Sequence, residues 1–152
     1  FANDNADGQV VVSGSTAAVE RAVDIAKEKG AKRSMLLPVS APFHCALMAP
    51  AANVMADALT AVAMNDPVVP IIANVTAAPV QDAMNIRRLL VEQVTGRVRW
   101  RECVLAMKYA GVDRLVEIGH GRVLSGMTRR IDREMTGVNV GSPQDVDAFL
   151  AG

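Results

Sequence analysis

Residues 36–48 read Leu-Leu-Pro-Val-Ser-Ala-Pro-Phe-His-Cys-Ala-Leu-Met. The stretch opens as an apolar run with the look of a strand. Pro38 and Pro42 then interrupt regular structure, because proline lacks an N–H and restricts the residue before it. The interruption leaves His44, one of only two histidines, near a strand end and just ahead of an Ala-rich, helix-forming run. Histidine titrates near neutrality, and a loop on a rigid scaffold is a common place for a group that moves protons. The alternative is a structural imidazole bonded to backbone.

On the N-terminal side, Gln9 to Ser13 is a short β-rich run between Gly8 and Gly14. Ser15 or Thr16 is placed to cap a helix in which Val19, Ala22, Val23 and Ala26 recur at helical spacing. Gly30 ends it, and Lys32 to Leu37 reads as the next strand. On the C-terminal side, Pro50 starts a helix with one apolar stripe, Ala51, Val54, Met55, Ala58, Leu59 and Val62, which Asn65-Asp66-Pro67 ends. Val68 to Val75 is almost continuously apolar, as expected of a strand buried on both faces of a parallel sheet.

The following helix, residues 83–94, places Ile86, Leu89, Leu90, Gln93 and Val94 on one face. Gln93 is the polar exception, and a buried amide without partners costs about 1–3 kcal/mol. Trp100, Cys103, Val104 and Met107 line another helix, ended by Gly111. Arg114 to Ile118 is a strand, Gly119-His120-Gly121 a tight turn, residues 122–135 a helix, and Gly137 to Gly141 a last strand. Ser142-Pro143 signals a short closing helix, 144–150. Strands separated by helices predict an α/β fold with a mostly parallel sheet.

The 152 residues carry no formal net charge, are 51% hydrophobic and only 3% aromatic. That composition suits a globular chain whose core is aliphatic. It gives no bulk charge for nucleic acid and no apolar run long enough to span a membrane. Cys45 and Cys103 make neither a spaced metal motif nor a disulfide framework, so reduced thiols in a cytoplasmic protein are expected. Cys45 beside His44 is a weak candidate nucleophile. A chain that begins on Phe1, with residues 1–8 reading as the end of an element running into a turn, looks like the C-terminal part of something longer.

The segment around His44 resembles the catalytic-histidine segment of malonyl-CoA:acyl-carrier-protein transacylases, a kind shared by acyltransferase domains of polyketide and fatty-acid synthases. Further similarities follow in that family's order. Asn3, Asn5 and Gly8-Gln9-Val10-Val11 are similar to its Asn-rich turn and the strand after it. Gln93 with Arg99-Trp100 resembles its Gln-to-Trp segment, and Glu117 to Gly126 resembles Glu-Val-Gly-Pro-Gly-Lys-Val-Leu-Thr-Gly. His120 stands where that pattern has proline, and the resemblance gives it no role.

The resemblance implies an α/β-hydrolase-like acyltransferase core, here its C-terminal half (39–152), plus part of an inserted ferredoxin-like subdomain (1–38). It implies His44 as general base, oriented by the backbone carbonyl of Gln93. It further implies Asn3, Asn5 and Phe43 as substrate-side positions, Phe43 accompanying malonyl choice. The reaction expected is malonyl transfer from malonyl-CoA to the phosphopantetheine thiol of acyl carrier protein, with no metal or bound cofactor, no nucleic acid and no membrane. The family's nucleophile is the Ser of Gly-His-Ser-x-Gly, and no Gly-x-Ser-x-Gly occurs in the chain. The chain taken alone is therefore expected to be inactive. The rival readings are a synthase acyltransferase domain using another extender unit, and a non-catalytic carrier-protein-binding remnant.

Overall fold

Strand pairing follows the length of each connection. The computed structural model describes residues 1–152. Its opening strands β1 (Asn3–Ala6) and β2 (Gln9–Val11) are joined by the two residues Asp7-Gly8 and pair as an antiparallel hairpin. Gly8 takes φ 73°, which that tight turn needs and a side chain disfavours. Asn3 and Asn5 therefore lie within a strand rather than in a turn.

Helix α1 (Thr16–Glu28) follows, then an irregular stretch to a 3-10 turn, Ala46–Met48, and helix α2 (Ala49–Thr60). Strands β3 (Ile71–Ala73) and β4 (Ala78–Val80) form a second hairpin, followed by α3 (Ala83–Thr95) and α4 (Trp100–Tyr109). Asp82 caps α3 by accepting the Asn85 N–H. Strand β5 (Arg114–Ile118), helix α5 (Val123–Ile131) and strand β6 (Thr136–Val140) form a right-sized crossover unit, and its two strands pair in parallel from Arg114 against Thr136 to Ile118 against Val140. Helix α6 (Pro143–Ala151) starts on a capping box between Ser142 and Asp145.

The fold is mixed α/β, but the mostly parallel sheet expected from the alternation is not formed. Three two-stranded sheets take its place, and only β5 with β6 is parallel. Residues 32–37 are not a strand and pair with none of the strands. The long strand expected over 68–75 is reduced to β3. Pro70, which cannot donate to a ladder, stands immediately before it.

The core gathers where β1, α4, α5 and β6 meet. Ala2, Ala6, Cys103, Val104, Met127, Met135 and Val140 are buried there. Helix α5 sits so close to β6 that a Cβ on Gly137 would lie 2.5 Å from the Ser125 carbonyl oxygen. Only 12 of the 152 residues are buried, and Val68 is 97% exposed. Val54 and Met55 of α2 and the apolar side chains of residues 35–39 are open to solvent.

Candidate active site

Residues 41–45 form a compact bend. The Phe43 N–H donates to the Ala41 carbonyl at 2.9 Å, and the Cys45 thiol donates to the Pro42 carbonyl at 3.1 Å. His44, between them, takes φ 59°. A left-handed residue with a side chain costs of order 1–3 kcal/mol and is tolerated where its surroundings over-determine it. Those surroundings are the two bonds just named and the 3-10 turn, which rests on α2 and α3.

From the apex of the bend, His44 Nδ1 reaches the Gln93 carbonyl oxygen at 3.3 Å. That carbonyl belongs to the last turn of α3, where a helix leaves its carbonyls without intrahelical donors. A carbonyl only accepts, so the pairing puts the proton on Nδ1 and leaves the Nε2 lone pair free.

The Gln93 side chain does not reach His44. Its Nε2 donates to the Gly96 carbonyl at 3.0 Å, and its Oε1 accepts from Asn74 Nδ2 at 2.5 Å. Asn74 was not singled out from the sequence. It stands where the β3–β4 turn begins, and Nδ2 also donates to the Arg97 carbonyl at 3.3 Å. Its Oδ1 accepts the Arg99 N–H at 2.9 Å. The signal that marks Gln93, a lone amide on an apolar run, is present at Asn74 too, where the apolar run from Val68 to Val75 masks it.

The link from α3 to α4 is held by charge as well. Glu102 accepts from Arg99 Nε at 3.0 Å and from Arg97 at 3.1 Å, and also pairs with Arg99 Nη2. The Arg99 guanidinium is the main cause of a Glu102 carboxyl held below its ordinary pKa. At Gly96 a Cβ would meet the Glu92 carbonyl oxygen at 2.9 Å and Val75 at 3.0 Å, so the chain passes there only as glycine.

The other expected site residues are not all brought together. Asn3 and Asn5 share one half-buried face of β1, opposite buried Asp4, which takes a two-pronged bond from Arg101 at 2.9 and 3.1 Å. Asn3 bridges to Val98, so it neighbours the α3–α4 link, but neither Asn side chain bonds to His44. Phe43 is exposed beside His44. Cys45 has its thiol engaged by Pro42, and burial pushes the Cys103 thiol up to about 11, so neither sulfur is set up as a thiolate nucleophile. No cluster of three or more His, Cys, Asp or Glu side chains is placed to hold a metal ion. His120 is exposed in a turn that Asn139 pins through the Gly121 carbonyl at 2.5 Å. No helix is long and apolar enough to cross a membrane.

In an α/β chain, an imidazole paired through Nδ1 with a helix-end carbonyl keeps its other ring nitrogen available to take up a proton. The chain's relatives narrow the class of protein. No protein-family model matches the chain. It is 44% identical over 149 residues to a malonyl CoA-acyl carrier protein transacylase of Haemophilus influenzae, covering 98% of this chain and 47% of that protein. The crystal structure of an acyl-carrier-protein-S-malonyltransferase from Bartonella henselae superposes with a TM-score of 0.94 at 53% identity, covering 99% of this chain and 48% of that one. A malonyl-transacylase solved in complex with a type II polyketide acyl-carrier protein superposes at 0.92 with 42% identity, covering 99% and 49%. The chain is thus homologous to malonyl CoA-acyl carrier protein transacylases along nearly all of its length. It spans about half the length of the curated relatives it matches.

Proposed function

We propose that these residues are the base-bearing half of a malonyl-CoA:acyl-carrier-protein transacylase. The observation that carries the reading is the 3.3 Å approach of His44 Nδ1 to the Gln93 carbonyl, on a chain homologous to that family. His44 Nε2 takes the hydroxyl proton of a serine supplied from outside this chain. The serine oxygen attacks the malonyl thioester carbon, the carbon–sulfur bond breaks, and coenzyme A leaves with the proton returned by the imidazolium. In the second half-reaction His44 takes the proton of the carrier protein's phosphopantetheine thiol. The thiolate attacks the malonyl-serine ester, and the serine recovers its proton. The sequence is ping-pong and asks for no metal or prosthetic group.

Residues 39–152 are assigned to the C-terminal half of an α/β-hydrolase-like core, and 1–38 to part of a ferredoxin-like subdomain. The bonds between Ala2, Asp4 and Val98 would be the seam between them. Asn3, Asn5 and Phe43 are assigned to the substrate side. The assignment of Phe43 to malonyl choice rests on the family resemblance, and its ring is exposed. Two free thiols, Cys45 and Cys103, are in keeping with the cytoplasm.

The test is malonyl transfer by the intact protein that carries these residues. His44→Ala is expected to lower the rate by about 10²–10⁴-fold while folding is retained. Unchanged transfer in that variant would remove His44 from the chemistry. Preference for a branched extender acyl-CoA would favour a synthase domain, and carrier-protein binding without any transfer would favour the remnant.

A further inference from the structure

Two side-chain amides join the end of α3 to the start of α4, and their orientations are fixed by backbone groups. Asn74 Oδ1 faces the Arg99 N–H, which only donates, so Nδ2 must face the Arg97 carbonyl and Gln93 Oε1. Gln93 Nε2 faces the Gly96 carbonyl, which only accepts, so Oε1 must face Asn74. Flipping either amide would set oxygen against a carbonyl oxygen or N–H against N–H. Asn74 alone touches positions 93, 97 and 99 through conventional hydrogen bonds, and Cys103 Sγ lies 3.8 Å from its Oδ1. It spans the link whose first residue carries the carbonyl against His44.

That carbonyl has little else to fix it. It lies at a helix end, shares itself with the Gly96 N–H at 3.2 Å, and meets His44 at 3.3 Å, the long end of the hydrogen-bond range. A bond this long is sensitive to small movement of its acceptor. We infer that Asn74 is a positioning residue for the transfer reaction: by clamping the Gln93 amide and the 97–99 backbone, it holds the Gln93 carbonyl where it selects the Nδ1–H form of His44. The inference rests on the reading of His44 as the base.

The experiment uses the intact protein with ¹⁵N-labelled histidine, reading the ring nitrogens of His44 and, as an internal control, those of exposed, unbonded His120. Unsubstituted His44 is expected mainly as the Nδ1–H form. In Asn74→Ala the ratio of Nδ1–H to Nε2–H is expected to fall about fivefold, the worth of one hydrogen bond. The kcat of malonyl transfer should fall with it by about tenfold, with KM little changed, since misplacement of a reacting group acts on the chemical step. His120 should not move. Where Asn74→Ala fails to fold, Asn74→Asp carries the test. It keeps the acceptor for the Arg99 N–H but turns a second oxygen toward Gln93 Oε1 and the Arg97 carbonyl, and the same changes are expected. A His44 that remains Nδ1–H in the folded variant, with kcat unchanged, would overturn the positioning role and leave the base intact. An unsubstituted His44 in the Nε2–H form would overturn the His44–Gln93 reading itself.

Discussion

The stretch from Gln93 to Cys103 and the stretch from Met35 to Met48 are joined by one hydrogen bond of 3.3 Å, and they are held in different ways. Within the first, nearly every polar group has a partner: Asn74 takes the Gln93 amide and the Arg99 N–H, and Glu102 takes Arg97 and Arg99. Within the second there is one short 3-10 turn, no strand, and a row of exposed apolar side chains at Met35, Leu36, Leu37, Val39, Phe43 and Leu47. Gln93 sits on a helix end braced by side-chain bonds, and His44 on a bend held by two local bonds and the packing of the 3-10 turn on α2 and α3. Apolar side chains standing in water are unfavourable by roughly 25 cal/mol per Å² relative to burial. The second stretch and the open face of α2 are therefore surfaces whose burial this chain does not itself provide.

The difference is sharpest in chemistry. The 152 residues alone are expected to take no covalent label from radiolabelled malonyl-CoA, because on the proposed reading His44 is a base and the chain holds no Gly-x-Ser-x-Gly serine for it to activate. A stable label, above all on Cys45, would mean that the loosely held stretch supplies its own nucleophile, and the division between base and orienter would collapse.

A smaller effect is expected in melting. With 12 buried residues and with Val68 and Val69 in solvent, the chain alone is expected to melt broadly or to aggregate. Hydrogen exchange should show protection concentrated in α4, β5 and β6, with almost none over 35–48. One sharp two-state transition covering both stretches would show that residues 35–48 belong to the same cooperative unit as 93–103.

Acid should loosen the braced stretch at Glu102. Glu102 has its carboxyl held below its ordinary value of 4.5, chiefly by the Arg99 guanidinium. A folded-state pKa lowered in this way stabilises the fold above 4.5, and that stabilisation is lost as pH falls through the lower folded value. Glu102→Gln is therefore expected to be less stable near neutral pH, by about 1 kcal/mol or less for so exposed a pair. The gap should close below 4.5. A gap that held constant into acid would show that the charge on Glu102 does not brace the link.

How much of this was legible in the sequence follows the same division. Helical periodicity located α1, α3 and α4 to within a few residues, and Arg114 to Ile118 was read at its observed bounds. These elements carry their own signals in caps and stripes. The runs at 32–37 and 68–75 carried only apolar character, and a strand needs a neighbour as well as suitable side chains. Pro70 was the overlooked local signal. Gln93 was noticed because it broke a stripe. Asn74, Asn139 and the Asp4–Arg101 pair were not, since their partners lie 18 to 97 residues away and no spacing encodes them.

The smallest expected effect concerns the other histidine. His120 lies between Gly119 at φ 127° and Gly121 at φ 99°, its own φ is not positive, and its N–H makes no backbone hydrogen bond. Proline at this position therefore removes no donor that the turn uses, and the residue before it is a glycine, which tolerates the restriction. His120→Pro is expected to leave malonyl transfer in the intact protein unchanged. Stability should stay level or rise by up to about 1 kcal/mol through a stiffer unfolded chain. The two imidazoles thus have opposite expectations from their partners alone: His44 has a carbonyl to fix its tautomer, and His120 has none. If His120→Ala abolished transfer while His44→Ala left it intact, the base would be His120, and the contact between the two stretches would be packing without chemistry.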